Sequence, residues 1–368
     1  MKKHFLLIAA AFAAFILLTG NTDAVDVNRM IFVAGIGIDR ADDGYRYTFY
    51  IAVPVGSDNT VSENSVEYHP TVINADNMAQ AVRILERNSS RDISLEHLNC
   101  TALGSSVLNE DITAILEFLL RDPTSRRQCT LLALDNSAEE FFSVKYDGSI
   151  AARAAALVEQ QDDSGKTTMT LGRLSSYSAS GSGMCIYILD VPVSGETSSA
   201  DLSSPADLHI SGLALFENGL FSGRLSADQA ELARLFITGQ ASGIITTVDE
   251  RGRKYHYEIT YSKCSTDFQP GIPSRGSFEI TVECMLIDSE GKGGPYPDEE
   301  ELSEALHAQL WELLTLARNN GSAFTGLETE AMESHRKWYH NHIGNWKNIY
   351  SSAILDLEVS CKIERRSD

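Results

Sequence analysis

Three segments in the C-terminal half of the sequence alternate between apolar and polar residues. They cover residues 255–261, 278–286 and 355–364, and each places aromatic or aliphatic side chains at every second position. A period of two residues is typical of a β-strand with one face buried and the other in water, as in an antiparallel sheet. The sequence therefore predicts a sheet that needs helices on one face only.

Two helical segments are available to cover the apolar face of this sheet. Asp298 and Glu301 form a capping-box pattern at the start of residues 298–318. Residues 326–350 form the second segment, which predicts one helix with Trp338 and Trp346 on the same side. These features predict an α+β fold.

The N-terminal half has a different pattern. Residues 29–39 and 45–55 are strand-like and flank Asp42-Asp43-Gly44, which indicates a hairpin. Further along, a strand at 95–103, a helix at 109–121 and a strand at 129–135 follow each other. A strand, helix, strand order predicts that the two strands are parallel. We therefore expect mixed and antiparallel sheets packed on helices.

The chain has 368 residues, which exceeds the size at which single hydrophobic cores stop growing. Residues 194–207 are rich in serine, contain a proline and lack aromatic residues, so they are the best candidate for a linker. We expect an N-terminal α+β region at 25–200, made of two subdomains, and a C-terminal α+β domain with an antiparallel sheet at 208–368. Three domains are expected in all.

The N-terminus predicts export. Two lysines precede an apolar run from residue 5 to residue 18, and residues 1–20 together fit a secretory signal. The run is short for a membrane-spanning helix. Leu18, Thr19 and Gly20 resemble a lipoprotein cleavage site, but Asn21 stands where the lipid-accepting cysteine belongs. Retention of the run as an anchor, later cleavage and alteration of an original cysteine all remain open.

The charge of the chain disfavours several classes of partner. Thirty Lys and Arg residues against 51 Asp and Glu residues give a formal net charge of −21. Nucleic-acid binding needs clustered cations, so we expect no nucleic-acid partner. The same charge predicts repulsion from anionic lipid head groups and partner contacts through apolar or mixed patches. A single apolar run also excludes a polytopic membrane protein.

No motif points to an enzyme, a cofactor or a metal. Gly35 and Gly37 lack the third glycine and the following helix of a dinucleotide site, so we expect small residues in a tightly packed strand. The spacing of His335, His340 and His342 is unlike a metal pair on one helical face and favours a solvated surface. The six cysteines show no zinc spacing. Free, buried thiols are favoured over disulfides, which an exported protein also permits.

Several segments nevertheless carry a family resemblance. The order Leu18-Thr19-Gly20, a strand ending in GIGID at residue 39 and a strand ending near Val53-Pro54 is similar to the C subunits of spore germinant receptors, the Ger(x)C lipoprotein family. The same holds for segments further along, namely residues 79–88, 95–103, 116–123 and 210–219, and the Trp338 to Trp346 segment before strand 355–364.

The resemblance implies three α+β domains and a non-enzymatic subunit on the outer face of the inner spore membrane. It also implies that this subunit acts with multi-spanning A and B subunits in sensing nutrient germinants. The family's lipidated cysteine is usually followed by Trp-Asp, whereas this chain has Asn21-Thr22-Asp23. A secreted solute-binding or cell-wall-associated protein of the same architecture is the alternative interpretation.

Overall fold

The chain forms two β-sheets with helices around them. The computed structural model describes residues 30–54, 66–161, 168–180, 182–190, 208–239, 241, 243–248, 252–289, 298–320 and 324–364. One sheet has nine strands and the other has four. Helices and mixed sheets together confirm the predicted α+β class.

The nine-stranded sheet, called here the large sheet, has the order β3-β2-β1-β5-β6-β7-β8-β9, with β4 beside β1. β1 pairs in parallel with β5, β5 with β6 and β6 with β7, which confirms the parallel strands predicted around residues 109–121. Antiparallel strands flank this centre. Its strands are β1 Met30–Arg40, β2 Tyr45–Pro54, β3 Val66–Ala75, β4 Asp92–Ser94, β5 Cys100–Leu103, β6 Thr130–Leu134, β7 Met184–Asp190, β8 His209–Glu217 and β9 Leu220–Ser226.

Six α-helices lie among the described residues of this part of the chain. They are α1 Met78–Ser89, α2 Ile112–Ile115, α3 Glu117–Arg121, α4 Ala138–Ser143, α5 Ile150–Gln160 and α6 Leu171–Ser180. Asn77, rather than the neighbouring aspartate, caps α1 by accepting a hydrogen bond from the Gln80 backbone N–H. The predicted helix at 109–121 is two short helices, because the backbone at Leu116 leaves the helical range. The strand predicted at 95–103 forms only over its last four residues, as β5, because residues 95–99 turn between β4 and β5.

The centre of the large sheet is buried on both faces. Every residue of β5 and β6 is buried, and side chains from alternate positions enter two separate apolar cores. Leu132 and Leu134 lie in one core, and Leu131 and Ala133 lie in the other. The first of these cores continues without interruption to the four-stranded sheet, so one hydrophobic core joins the two parts of the chain.

The four-stranded sheet, called here the small sheet, has the order β10-β11-β12-β13. β10, β11 and β12 are antiparallel, as predicted, but β13 runs parallel to β12. A parallel pair needs a crossover connection, and four helices lie in the described part of the chain between β12 and β13. The strands are β10 Ile244–Val248, β11 Lys254–Gln269, β12 Arg275–Ser289 and β13 Ile354–Ile363.

The helices of the C-terminal part cover one face of the small sheet. They are α7 Ala227–Thr238, α8 Glu299–Asn320, α9 Leu327–Ser334, α10 Arg336–His342 and α11 Trp346–Ser352. The capping box predicted at Asp298 forms, and Ser226 with Gln229 forms a second one at the start of α7. On β12, Phe278, Ile280 and Val282 point into the core while Glu279 is exposed, so the one-sided burial predicted from the alternation is confirmed.

The predicted single helix at 326–350 is broken into α9, α10 and α11. The backbone leaves the helical range at His335 and again at His342. The breaks let Trp338 and Trp346 pack against one ring, Phe268, at centroid distances of 5.2 and 5.4 Å. In a straight helix these two tryptophans would lie about 12 Å apart along the axis, too far to share that contact.

The large sheet extends past the predicted linker. β8 and β9 follow residues 194–207 in the sequence, yet β8 pairs with β7 and completes the large sheet. The linker residues themselves lie outside the described residues, and the predicted domain boundaries stay a prediction. Within the described part of the chain, no helix has the length and apolar character needed to cross a bilayer.

Two interpretations of single residue types are confirmed. All six cysteines are free thiols, and five of them are buried. Gly35 and Gly37 lie where β1 contacts α4: an added Cβ would come within 2.6 Å of the Phe142 ring and 2.7 Å of the Ala138 Cβ, respectively. Neither position leaves room for a side chain, as expected for a tightly packed strand.

Candidate functional site at the junction of the two sheets

A buried carboxyl group with a raised pKa lies at the junction between the large sheet and the C-terminal helices. This group is Glu328, in the first turn of α9. Gly326 begins the turn with φ 69°, a conformation that favours glycine. Leu327 then packs against Gly276 of β12. Its Cδ2 lies 2.6 Å from the position that a Cβ would occupy at residue 276. This packing fixes α9 on the small sheet.

Glu328 binds to the segment that leads into β7 of the large sheet. The Gly183 backbone N–H donates to one carboxylate oxygen at 3.2 Å, and the Tyr339 hydroxyl donates to the other at 2.8 Å. The Ser182 hydroxyl lies 3.1 Å from the same tyrosine oxygen. Four polar groups from β7, α9 and α10 are thereby linked in one network, which we call the junction network.

The environment of Glu328 opposes its ionisation. The residue is 8% exposed, and its burial raises the pKa of the carboxyl group to about 7. The hydrogen bonds from Tyr339 and Gly183 lower this pKa, but the loss of solvent outweighs them. The nearby carboxylate of Glu217 raises it further. Burial and the Glu328 charge also raise the pKa of the Tyr339 hydroxyl.

A second polar contact joins the same two parts of the chain. Lys347 of α11 forms an ion pair with Glu217 at the end of β8, with an Nζ to Oε2 distance of 2.8 Å. The glutamate side chain is 13% exposed, whereas that of the lysine is 58% exposed. An ion pair with one exposed partner contributes little free energy by itself. It nevertheless fixes the position of the Glu217 carboxylate, whose charge raises the pKa of Glu328.

A small cleft lies beside the junction network. Its volume is about 160 Å³, and the residues lining it include Asp111, Thr113, Tyr177, Ser182 and Met184. The carboxylate of Asp111 already accepts hydrogen bonds from two backbone N–H groups at the start of α2. The volume is below the roughly 300–1,000 Å³ of ligand sites for drug-sized molecules. The geometry therefore favours a role for the junction network in holding two parts of the molecule together.

Asp39 is a second buried carboxylate, and its role is structural. It closes the GIGID segment of β1 and accepts hydrogen bonds from the backbone N–H groups of Ala138 and Glu139, at 2.9 and 3.0 Å. These groups begin α4, so the side chain caps the helix from a neighbouring strand. Burial raises the pKa of this carboxyl group, and the two backbone hydrogen bonds lower it.

The residues singled out from the sequence have different places. The lipobox-like residues Leu18, Thr19, Gly20 and Asn21 lie outside the described residues. His342 stacks on Trp338 with ring centroids 4.4 Å apart, and its Nδ1 lies 2.7 Å from the Trp338 carbonyl oxygen. Among the described residues, no three His, Cys, Asp or Glu side chains are grouped so that they could hold a metal ion.

Sequence reasoning missed the junction network. Glu328 is one of two glutamates in the first turn of α9, where acidic residues are common at helix N-termini. Its partners Gly183 and Tyr339 are 145 and 11 residues away. No local spacing distinguishes a carboxylate that becomes buried through a contact this distant in the sequence.

Two family models match the chain in sequence. The model "Spore germination protein N-terminal domain" matches residues 23–191, and the model "Spore germination B3/ GerAC like, C-terminal" matches residues 211–367. The two matches are consecutive and together extend over most of the chain. Their spacing leaves residues 192–210 between them, which includes the predicted linker.

Curated relatives and a solved structure agree with these matches. Spore germination protein B3 of Bacillus subtilis (strain 168) is 23% identical over 381 residues, covering 96% of this chain and 95% of that protein. Spore germination protein A3 of the same organism is 23% identical over 283 residues, covering 75% and 71%. The crystal structure of the GerBC protein has a similar fold, with a TM-score of 0.56, 17% identity and coverage of 90% of this chain and 97% of that one.

Proposed function

Because the chain belongs to the spore germination family that these two models describe, we propose that it is the C subunit of a nutrient germinant receptor. In this proposal it is a non-catalytic subunit that acts with multi-spanning A and B subunits at the outer face of the inner spore membrane. Membership of the family supports a role in spore germination. The receptor, its partner subunits and the membrane face are the parts that we infer.

The observation that carries the proposal is the extent of the match. The N-terminal and C-terminal models both match, in order, and the B3 relative aligns over 95% of its own length. A chain that shared only one module with this family would match one model alone. The whole architecture of the relative is thus present in this chain.

The geometry of the junction supports a subunit that works through its surfaces. The carboxylate of Glu328 is engaged by a backbone N–H and a tyrosine hydroxyl of the same chain. The hydrophobic core runs from the large sheet to the small sheet. Such contacts hold two layers in one arrangement, as a scaffold between partner proteins requires. The cleft beside the junction network is too small for a drug-sized solute, so this site does not support the solute-binding alternative.

Deletion of the gene in its own spore-forming host tests the proposal. We expect the mutant spores to lose or slow their response to at least one nutrient, measured as the fall in optical density that accompanies germination. The host should first be cleared of other receptors of this family, so that none compensates. The wild-type gene should restore the response.

An unchanged response to every nutrient in that background would overturn the proposal. Purification of the tagged chain from spore membranes supplies a second test of the inferred partners. Recovery without any multi-spanning protein, under conditions that keep membrane complexes intact, would contradict an assembly with A and B subunits.

A further inference from the structure

A cleft at the C-terminal end of α1 concentrates positive charge on an acidic molecule. The cleft is open, has a volume of about 460 Å³ and is lined by Arg83, Glu86, Arg87, Ser90, Arg91 and Asp92. Arg83 and Arg87 are four residues apart and so lie on the same side of the helix. Ser90, with φ 54°, turns the chain so that Arg91 returns to the same cleft. All three arginines are exposed.

The three guanidinium groups of this arginine cleft have no partner among the described residues. None of them takes part in an ion pair or a hydrogen bond there. Glu86 and Asp92 line the cleft without reaching ion-pair distance, so its formal charge stays at one positive. Elsewhere in the chain, arginines such as Arg46 and Arg224 are paired with a carboxylate.

The arginine cleft lies at the point where the described chain begins. β4 pairs in parallel with the start of β1, so that Asp92 is the register partner of Met30. The apolar run at residues 5–18 precedes Met30, and eleven residues, 19–29, separate its end from that strand. Even fully extended, this connection spans only about 40 Å. Attachment of the apolar run to a bilayer would therefore keep the arginine cleft near the lipid surface. The intervening residues carry Asp23, Asp26 and Arg29, so they add no net positive charge of their own.

We propose that the arginine cleft is the face with which the chain contacts anionic phospholipid head groups. The inference rests on the proposed function, because it takes membrane attachment from it. A guanidinium group binds phosphate oxygens in a bidentate geometry. An exposed guanidinium group loses little solvation free energy when it moves from water to a head group. Three such groups on one cleft present a surface that matches a layer of lipid phosphates.

The net charge of −21 does not prevent this contact. Charges separated from the lipid by more than a Debye length, about 8 Å at physiological ionic strength, are largely screened. The charges of the cleft itself then decide the interaction, and there three arginines outnumber Glu86 and Asp92. The repulsion predicted from the overall charge applies to the rest of the surface, and it would orient the chain with the arginine cleft toward the bilayer.

Vesicle flotation of the full chain tests the inference. The partition coefficient is measured on pure phosphatidylcholine vesicles and on vesicles in which one lipid in four is phosphatidylglycerol. The apolar run contributes to both, so their ratio reports the anionic lipid alone. We expect a ratio of about fivefold for the wild type at about 0.05 M salt, falling toward one at about 0.5 M, because the cleft carries one net positive charge and each such charge near an anionic surface contributes about fivefold.

The variant R83Q/R87Q/R91Q should bring this ratio close to one. A matched control, R275Q/R336Q/K337Q, removes the same three charges from exposed positions in the C-terminal part and should keep the wild-type ratio. Circular dichroism and thermal unfolding should be the same for all three proteins, because the replaced side chains are exposed.

Other outcomes would overturn the inference in distinguishable ways. Equal partition of the wild type on both vesicles would reject the arginine cleft while leaving the proposed function intact. Partition on neither vesicle would reject membrane attachment and the inference with it. A ratio lost in the control variant alone would move the contact to the C-terminal part. Displacement by millimolar inorganic phosphate at constant ionic strength would show a site for free phosphate instead of a lipid-binding face.

Discussion

The two sheets differ in how their faces are used. The large sheet separates two hydrophobic cores, and its central strands β5 and β6 have no exposed residue. The small sheet buries one face beneath helices and presents the other to solvent. A strand between two cores tolerates no added volume on either side, whereas a strand at a surface has one side that is free to change. The same type of substitution should therefore have very different effects in the two sheets.

Acidic residues show the same difference. In the large sheet, Asp39 is buried and caps a helix through two backbone N–H groups. On the small sheet, Glu279 and Glu358 are exposed and lie directly opposite each other on β12 and β13. Glu328 lies between these extremes, because it is buried at the junction with two hydrogen-bond donors and forms no ion pair with a residue that the structure describes. Each of these positions gives a way to test the comparison.

The largest effect is expected from Gly35→Val. Gly35 lies in β1 against the Phe142 ring and Ala151, so the new side chain would collide with both. We expect a loss of about 3 kcal/mol in the free energy of unfolding, typical of overpacking in a rigid core. Chemical denaturation monitored by circular dichroism measures it.

Ser265→Val is the matched control on the exposed face of β11. It adds a side chain of the same shape to a strand with one free face, so the free energy of unfolding should change by less than about 0.5 kcal/mol. Similar losses for both variants would show that burial on two faces does not distinguish the large sheet.

A somewhat smaller effect, and one that depends on pH, is expected from Glu328→Gln. The pKa of Glu328 is raised from its ordinary value of 4.5 to about 7 in the folded chain. The folded state therefore binds the proton more tightly than the unfolded state, and the wild type loses stability as pH rises through this interval. Glutamine does not ionise. The stability of the variant relative to the wild type should increase by about 2 kcal/mol between about pH 5 and about pH 8.

Thermal unfolding across this pH range measures the difference. Glu304→Gln, at an exposed position of α8, is the control and should follow the wild-type pH profile. A parallel profile for Glu328→Gln would mean that the carboxyl group keeps its ordinary pKa at the junction.

The smallest effect is expected on the open face of the small sheet. Glu358→Gln removes one of two like charges that face each other across β12 and β13. We expect the free energy of unfolding to rise by about 0.2–1 kcal/mol, and the gain to shrink at high salt. Glu283→Gln is the control, because its register partner is Lys362 and the same change should there destabilise slightly. A destabilising effect at Glu358 would contradict the simple charge argument.

The sequence predicts the elements whose pattern is local. Alternation at β11, β12 and β13, the hairpin at Asp42-Asp43-Gly44 and the capping box at Asp298 all indicate structure within a few residues, and each forms as expected. The buried strands of the large sheet have no alternation, so nothing in the sequence showed that the strand predicted at 95–103 begins only at Cys100. The breaks around Trp338 depend on a distant ring, Phe268, and local helical spacing gave no sign of them.

The candidate site was beyond sequence reasoning for the same reason. The junction network is made by residues from three elements, and burial by tertiary packing is what raises the pKa of Glu328. The arginines at 83, 87 and 91 are visible in the sequence as a repeat of four residues. The structure shows that these arginines form no ion pair with a described residue. The pairing of β4 with β1 shows that the cleft lies close to Met30.

The order of the strands also determines how the chain can acquire its structure during synthesis. All nine strands of the large sheet lie before residue 227, so an emerging chain holds them before any strand of the small sheet exists. Helix α7, which packs on β8, comes next, and β13 comes last. Until α7 is made, Leu213 and Leu215 lack the helix that packs on β8. A nascent or truncated chain ending near Ser226 would therefore expose an apolar surface that promotes aggregation. Rapid synthesis of the remaining C-terminal residues or binding of a chaperone would prevent this aggregation.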